Sequence, residues 1–432
     1  MLKNKLTFYA LALSCFTSLI FSTPILADQY HYNNMLIGNR AAGLAGSYVA
    51  VSDDPSGLYY NPSGVVYATS GNITANMNAY NIGRTTYVGV LKTAAGKNVD
   101  WIRTSSALVP NFFGITQPLG SGTVGFSYAI TDSVLEDQGQ TFYDIIQAGS
   151  QYNINFNNQD VTNNIGPSYA IKLSNELSIG LTLYGYFRTQ ERIFNQIFQL
   201  PIEDSSLTSP AFLIENQYLS LREIGVKPIF GLTYTPFNKF SFGMTLSQVF
   251  LISSTIEEQK NTALNICLDG EVRERCPTGE ATSFSLTQQT VSENRSFPWQ
   301  INIGGAYFHS NKLMLTGNAW IYEAMNGTSR PLVNVAGGLE YYFTGKTAIR
   351  IGGYTNLANT PKLQAGVSNA ANEHLNIFGA TSSITFFTRS SAISVGAAGS
   401  YGKGEAQISG GTSIQQVKYI GVSVFLSASN SF

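Results

Sequence analysis

The chain predicts an all-β fold, a transmembrane antiparallel β-barrel of about fourteen strands with an N-terminal hatch inside its lumen. Three observations carry that reading. Charge is scarce while aromatic residues are plentiful. Strand-like segments of period-two alternation recur from Gly71 to Phe432, joined by alternately short and long connections. Ahead of them lies Gly38 to Gly64, a stretch too poor in bulky side chains to build a core of its own.

Charged residues make up 12% of the chain, about half the usual share for a soluble domain. Aromatic residues also reach 12%, with 24 Tyr and 26 Phe, beside 41 Gly. That balance suits an apolar outside with aromatic girdles around a polar inside. A net charge of −1 gives no electrostatic footing for nucleic acid or an anionic surface. The roughly 400 residues after Ala27 would allow two soluble domains, yet no linker, charge block or low-complexity tract divides them.

The elements follow in order. Residues 1–27 read as a signal peptide: Lys3 and Lys5, an apolar run from Leu6 to Phe21, and a cleavage site at Ile25-Leu26-Ala27. Cys15 falls within it. Residues 28–69 are the expected hatch and 70–432 the barrel, with the first strand near Gly71–Ile82. Pairs follow at Asn111–Leu119 with Thr123–Ile130 and Asn164–Leu173 with Leu177–Gln190, then Arg222–Thr235 and Phe240–Phe250. A long segment, Ser283–His309, crosses Pro298-Trp299, and six more strands end on Lys418–Phe432. In Leu177–Gln190, Ile179, Leu181, Leu183 and Phe187 share a lipid-compatible face, while Thr182, Tyr184, Tyr186, Arg188 and Gln190 share the lumenal one. Short turns such as Ser174-Asn175-Glu176 mark one rim. The long polar stretches Thr131–Asp160, Arg192–Leu221, Ser253–Thr282 and Asn359–Glu373 read as loops at the other. In the third of these, Cys267 and Cys276 are expected to form a disulfide closing a small surface loop, a metal site being the rival.

Against that background the small-residue stretch becomes readable. Gly38, Arg40, Ala41, Gly46, Ala50, Asp53, Asp54, Asn61 and Pro62 stand in an order that resembles the FadL family of outer-membrane transporters. Ser63 departs from that family's usual Asn-Pro-Ala. Val109-Pro110-Asn111, Arg188, Arg192, Pro298-Trp299 and Tyr341-Tyr342-Phe343 extend the resemblance along the chain. It implies a hatch shaped by Gly38, Arg40, Gly46, Asp53, Asp54, Asn61 and Pro62. It also implies a hydrophobic substrate that leaves sideways through a kinked strand, and an arginine near a substrate carboxylate. Gly125 in the third strand either permits that kink or packs against the hatch. Arg188 and Arg192 are the ligand candidates, an ordinary rim ion pair with Glu191, Glu203 or Asp204 being the alternative. Phe212 and Leu213, with Leu207 and Pro210, either catch hydrophobic molecules at the surface or pack within their own loop.

The expected function is passive uptake of long-chain fatty acids or other hydrophobic compounds across a bacterial outer membrane, by a monomer surrounded by outer-membrane lipid. The alternative is a structural barrel of the same architecture that holds partner proteins and transports nothing. A general aqueous porin fits the hatch poorly. No cofactor, metal or nucleic-acid partner is expected. Three histidines, His31, His309 and His374, sit in no nucleophile or metal motif, so no enzyme is expected.

Overall fold

In the computed structural model, residues 31–432 are described apart from 33–34, 69, 146–147, 200–211, 265–282, 293–295, 325–328, 368, 370–372 and 409–411. The signal-peptide reading, Leu207, Pro210 and the Cys267–Cys276 disulfide lie outside the described residues.

Alternating apolar and polar residues build strands β1 (Asn72–Lys92), β2 (Asn98–Leu119), β3 (Gly122–Tyr143), β4 (Gln151–Lys172), β5 (Leu177–Gln199) and β6 (Phe212–Phe237). β7 (Phe240–Ser247), β8 (Phe250–Leu264), β9 (Ser283–Ser292) and β10 (Gln300–Phe308) follow. The remainder are β11 (Leu313–Tyr322), β12 (Leu332–Thr344), β13 (Thr347–Asn356), β14 (Glu373–Phe387), β15 (Ser391–Ala406) and β16 (Gln415–Ser431). β7 and β8 are successive halves of one barrel strand, since both pair with β6. β9 and β10 are likewise the halves of the next, pairing with β8 and β7 respectively. The closed ring therefore has fourteen antiparallel strands, with β1 sealed against β16 and β5 against β6. Closure leaves the membrane-spanning wall no free sheet edge, which is what a bilayer demands of a β-protein.

The face assignments follow the sequence pattern. Ile179, Leu181, Leu183 and Phe187 are exposed on the outside of β5, whereas Thr182, Tyr184, Arg188 and Gln190 are buried on the inside. Around the short-turn rim, Phe237, Phe240, Phe242, Phe343 and Phe386 stand outward as an aromatic belt.

Two of the four polar stretches read as loops are largely strand, and a third begins as strand. β3 runs on to Tyr143 and β4 begins at Gln151; β5 reaches Gln199 and β6 starts at Phe212; β8 extends to Leu264. Above the bilayer an outward face needs no apolar residues, so polar strands there carry no hydrophobic signal. Their inward faces still pack. Tyr87, Trp101, Phe142, Tyr152, Phe156, Phe198 and Leu213 form an apolar cluster inside this extension.

The small-residue segment lies within the ring. It contains two short helices, α1 (Asn39–Gly43) and α2 (Gly57–Tyr60), and a 3-10 turn at Pro62–Tyr67. Ile37, Leu44, Tyr48 and Tyr60 pack with the wall residues Phe112, Ala129, Ala306 and Met314 into a shared core.

Candidate functional site

Two groups of bonds on different sides, beside single ones such as Ser241 Oγ to the Ala50 carbonyl at 2.6 Å, fasten the lumenal segment to the wall. On one side, the Arg40 guanidinium donates to both oxygens of Glu340, at 2.8 Å each, and to Asp53 Oδ1 at 2.7 Å. Arg350 bonds the same Glu340, so two cations from different elements hold one buried carboxylate. On the other side, Asn61 Nδ2 donates to the carbonyls of Val49 (2.7 Å) and Leu232 (3.1 Å) and to Thr233 Oγ1 (3.1 Å). Its Oδ1 accepts from the Ser63 backbone at 3.2 Å, capping the turn that Pro62 opens.

Wall glycines make this approach possible. A Cβ at Gly231 would lie 2.2 Å from Asn61 Oδ1, and one at Gly180 would lie 2.6 Å from the Pro62 carbonyl carbon. Within the segment, Gly38 and Gly46 both have φ of 80°, a left-handed conformation that side chains disfavour. Asp54 accepts from the Ser56 backbone at 2.8 Å, an Asx turn.

The wall itself is interrupted between β2 and β3. Their ladder runs from Leu119↔Gly122 up to Phe112↔Ala129 and then stops. It touches again only at Ser105↔Glu136, after six residues of each strand, 106–111 and 130–135, without a slip of register. Beyond that point side chains replace the ladder: Gln138 accepts from the Thr104 amide at 2.7 Å, and Arg103 donates to Glu136 at 3.0 Å. β3 also carries a bulge against β4, where Ile130 and Asp132 pair with neighbouring residues and Thr131 is extra. The lumenal positions of β3 consequently change from odd (Ser127, Ala129) to even (Glu136, Phe142) across this seam.

Directly behind the seam lies a cavity. Thr131 lines it, together with Leu36 and Tyr59 of the lumenal segment and Lys227, Asn302 and Trp320 of the wall. Leu36 is tied to the seam, because Asn111 Nδ2 donates to its carbonyl at 2.8 Å. Tyr32 stacks on Tyr322 at 4.3 Å between ring centroids. Lys227 places its ammonium 5.2 Å from the centre of the Tyr59 ring, and no ion pair to it occurs among the described residues. Burial pushes the Tyr59 phenol up to about 12, so it stays neutral. The lining therefore combines aromatic surface, neutral hydrogen-bonding groups and one cation.

The ligand candidates named from sequence sit elsewhere. Arg188 is buried and donates to Asp160 at 2.9 and 2.6 Å, with Glu223 at 3.8 Å. Arg192 is buried farther up β5, on the same inward face. Neither lines the cavity. Phe212 and Leu213 are strand residues, not loop residues, and Leu213 belongs to the apolar cluster of the extension. Gly125 sits in an unbroken ladder between Thr116 and Ser168, so the seam is not there. A Cβ at Gly125 would lie 2.6 Å from a Leu58 methyl, so the missing side chain lets the lumenal segment approach the wall there. Lys227, which the sequence analysis did not single out, lines the cavity. The signal was available: Ile229, Gly231 and Thr233 face inward, and Lys227 shares their parity.

No family model matches the chain, and no curated protein matches its sequence. Solved structures do resemble it. A Pseudomonas aeruginosa FadL homologue superposes with a TM-score of 0.62 at 13% identity, over 93% of this chain and 100% of that one. The Pseudomonas putida toluene transporter TodX gives 0.58 at 10% identity, over 93% and 99%. The monoaromatic hydrocarbon channel CymD gives 0.54 at 12% identity, over the same shares.

Proposed function

We propose that this chain, a bacterial outer-membrane barrel of the FadL-type fold, takes up hydrophobic compounds passively, holding them in the lumenal cavity and releasing them sideways between β2 and β3. The observation that carries the reading is the seam with the cavity directly behind it, in a barrel whose lumen is otherwise filled by its own N-terminal segment. An apolar molecule leaving through the wall enters lipid and never has to cross water. Long-chain fatty acids suit the cavity's chemistry. Its aromatic rings offer surface for a tail, and Lys227 offers a cation for a carboxylate. The solved relatives named for toluene and monoaromatic hydrocarbons support a hydrophobic cargo in general.

The test is uptake of radiolabelled oleate, and separately of toluene, by cells lacking the protein and by the same cells complemented with it. Complementation should restore uptake of at least one. Equal uptake of both probes with and without the protein would overturn the transport reading and favour a structural barrel.

A further inference from the structure

The wall parts at a second place. β7 and β10 pair up to the rung Ser247↔Gln300, and their continuations β8 and β9 pair again from Thr255↔Ser292. The register is the same above and below. Among the described residues between, 248–251 face 296–299 with no ladder rung joining them. Pro298 stands in this stretch and has no amide hydrogen to give a rung. β8 carries a bulge against β6 at the same height, where Ile224 pairs with Ser253 and Gly225 with Leu251. The combination of an in-register parting and an adjacent bulge is the one that marks the β2–β3 seam.

Side chains fill the parting in place of backbone. Gln248 Nε2 donates to the Phe297 carbonyl at 2.8 Å. Phe250 meets Trp299 edge-on at 6.0 Å, and Phe297 meets Tyr186 at 5.6 Å. On the outside, Phe250, Ile252 and Trp299 are exposed, an apolar surround suited to lipid contact. On the inside, the rung immediately below, Ser247 and Gln300, lines the same cavity that Thr131 reaches from the first seam. Ile229, which pairs with Ser247, lines it too. The cavity therefore borders both partings.

We infer that the stretch between 248–251 and 296–299 is a second lateral portal, joining the cavity to the bilayer and gated by Phe250, Phe297 and Trp299. Aromatic side chains turn aside by rotation alone, whereas opening an intact ladder would strip backbone groups of their partners in lipid. A cargo too bulky for one parting has the other available, and the hatch anchors need not move for either. The inference rests on the transport reading above.

The test bridges each parting at its middle with a short bis-maleimide. The variants are Phe250→Cys with Phe297→Cys, and Leu108→Cys with Ser133→Cys. Both are made in a protein carrying Cys267→Ser and Cys276→Ser, with mono-maleimide treatment as the unbridged control. Heat-modifiable migration confirms the folded barrel before oleate uptake is measured. A partial loss with either bridge and complete loss with both is the expected result. Full uptake through the 250–297 bridge, with complete loss through the 108–133 bridge alone, would overturn the second portal while leaving transport intact. Absence of uptake by the unmodified protein would overturn the portal together with the transport reading.

Discussion

At the residue scale the hatch is held by a few contacts whose geometry leaves little tolerance. Gly231 is the sharpest case, because the wall backbone must come within reach of Asn61 and Pro62. Valine there overpacks the contact at a cost of about 1–3 kcal/mol. Gly231→Val should leave heat-modifiable folding intact but make residues 31–69 sensitive to added protease in the purified barrel; unchanged protection would show that the approach is not tight. Arg40→Ala acts at the opposite anchor. It leaves buried Glu340 with Arg350 as its remaining cation, so the cost should fall near 2 kcal/mol, at or below the range for breaking a buried pair. Protease protection of the hatch should drop again, with Arg40→Lys restoring it only in part, because one ammonium cannot replace the bidentate fork. Lys227→Met tests the ligand side. It should weaken oleate binding roughly tenfold, about 1.4 kcal/mol, with little effect on an uncharged aromatic such as toluene. Equal affinities for oleate in the two proteins would remove Lys227 from the head-group role. The turns of this segment show in the sequence because turn chemistry is local: glycine at positive φ, Asx turns and a Pro-opened helix all announce themselves. The cavity cation does not, because Arg188 and Lys227 both point inward. Their difference lies in which carboxylates the folded wall brings near, Asp160 and Glu223 to one and none among the described residues to the other.

At the scale of single elements, an extra residue in β3 lies at the height where the wall parts. Thr131 is the extra residue of the bulge, and it moves every inward position above it from odd to even. Deleting Thr131 restores the alternation of β3 against β4, but leaves five residues of β3 facing six of β2 and displaces the Ser105↔Glu136 rung. The expected outcome is a folded, heat-modifiable barrel with changed amide exchange across 130–136 and reduced oleate uptake. Unchanged exchange and unchanged uptake would show that the bulge does not shape the seam. A bulge leaves little trace in composition, so nothing in the sequence marks Thr131. The same blindness lengthened the supposed loops. Once a strand leaves the bilayer, polar residues may face water on its outer side, and only the inward Trp101, Phe142, Tyr152 and Phe198 betray that pairing continues.

At the scale of the whole molecule, strand number and closure followed from the alternation and the turn spacing, because a bilayer imposes both. What period two cannot report is how the lumen is divided. The hatch fills the short-turn half of the barrel, the aromatic cluster fills the extension, and the cavity lies between them beside the parted wall. On the transport reading the hatch blocks water and ions, while an apolar molecule leaves through lipid. Removing residues 31–69 should therefore convert a closed protein into a conducting one. The wall positions that touch the hatch include glycines and small polar residues such as Ser178, Thr182, Thr233 and Ser241, which would help line a wet channel once uncovered. Reconstituted in a planar bilayer, the intact protein should show little ionic current and the deletion variant steady channels, with cells expressing it more sensitive to a large hydrophilic antibiotic. Closed behaviour in a correctly folded deletion variant would mean that the aromatic cluster of the extension seals the barrel by itself, and that the hatch serves to shape the cavity instead of blocking the pore.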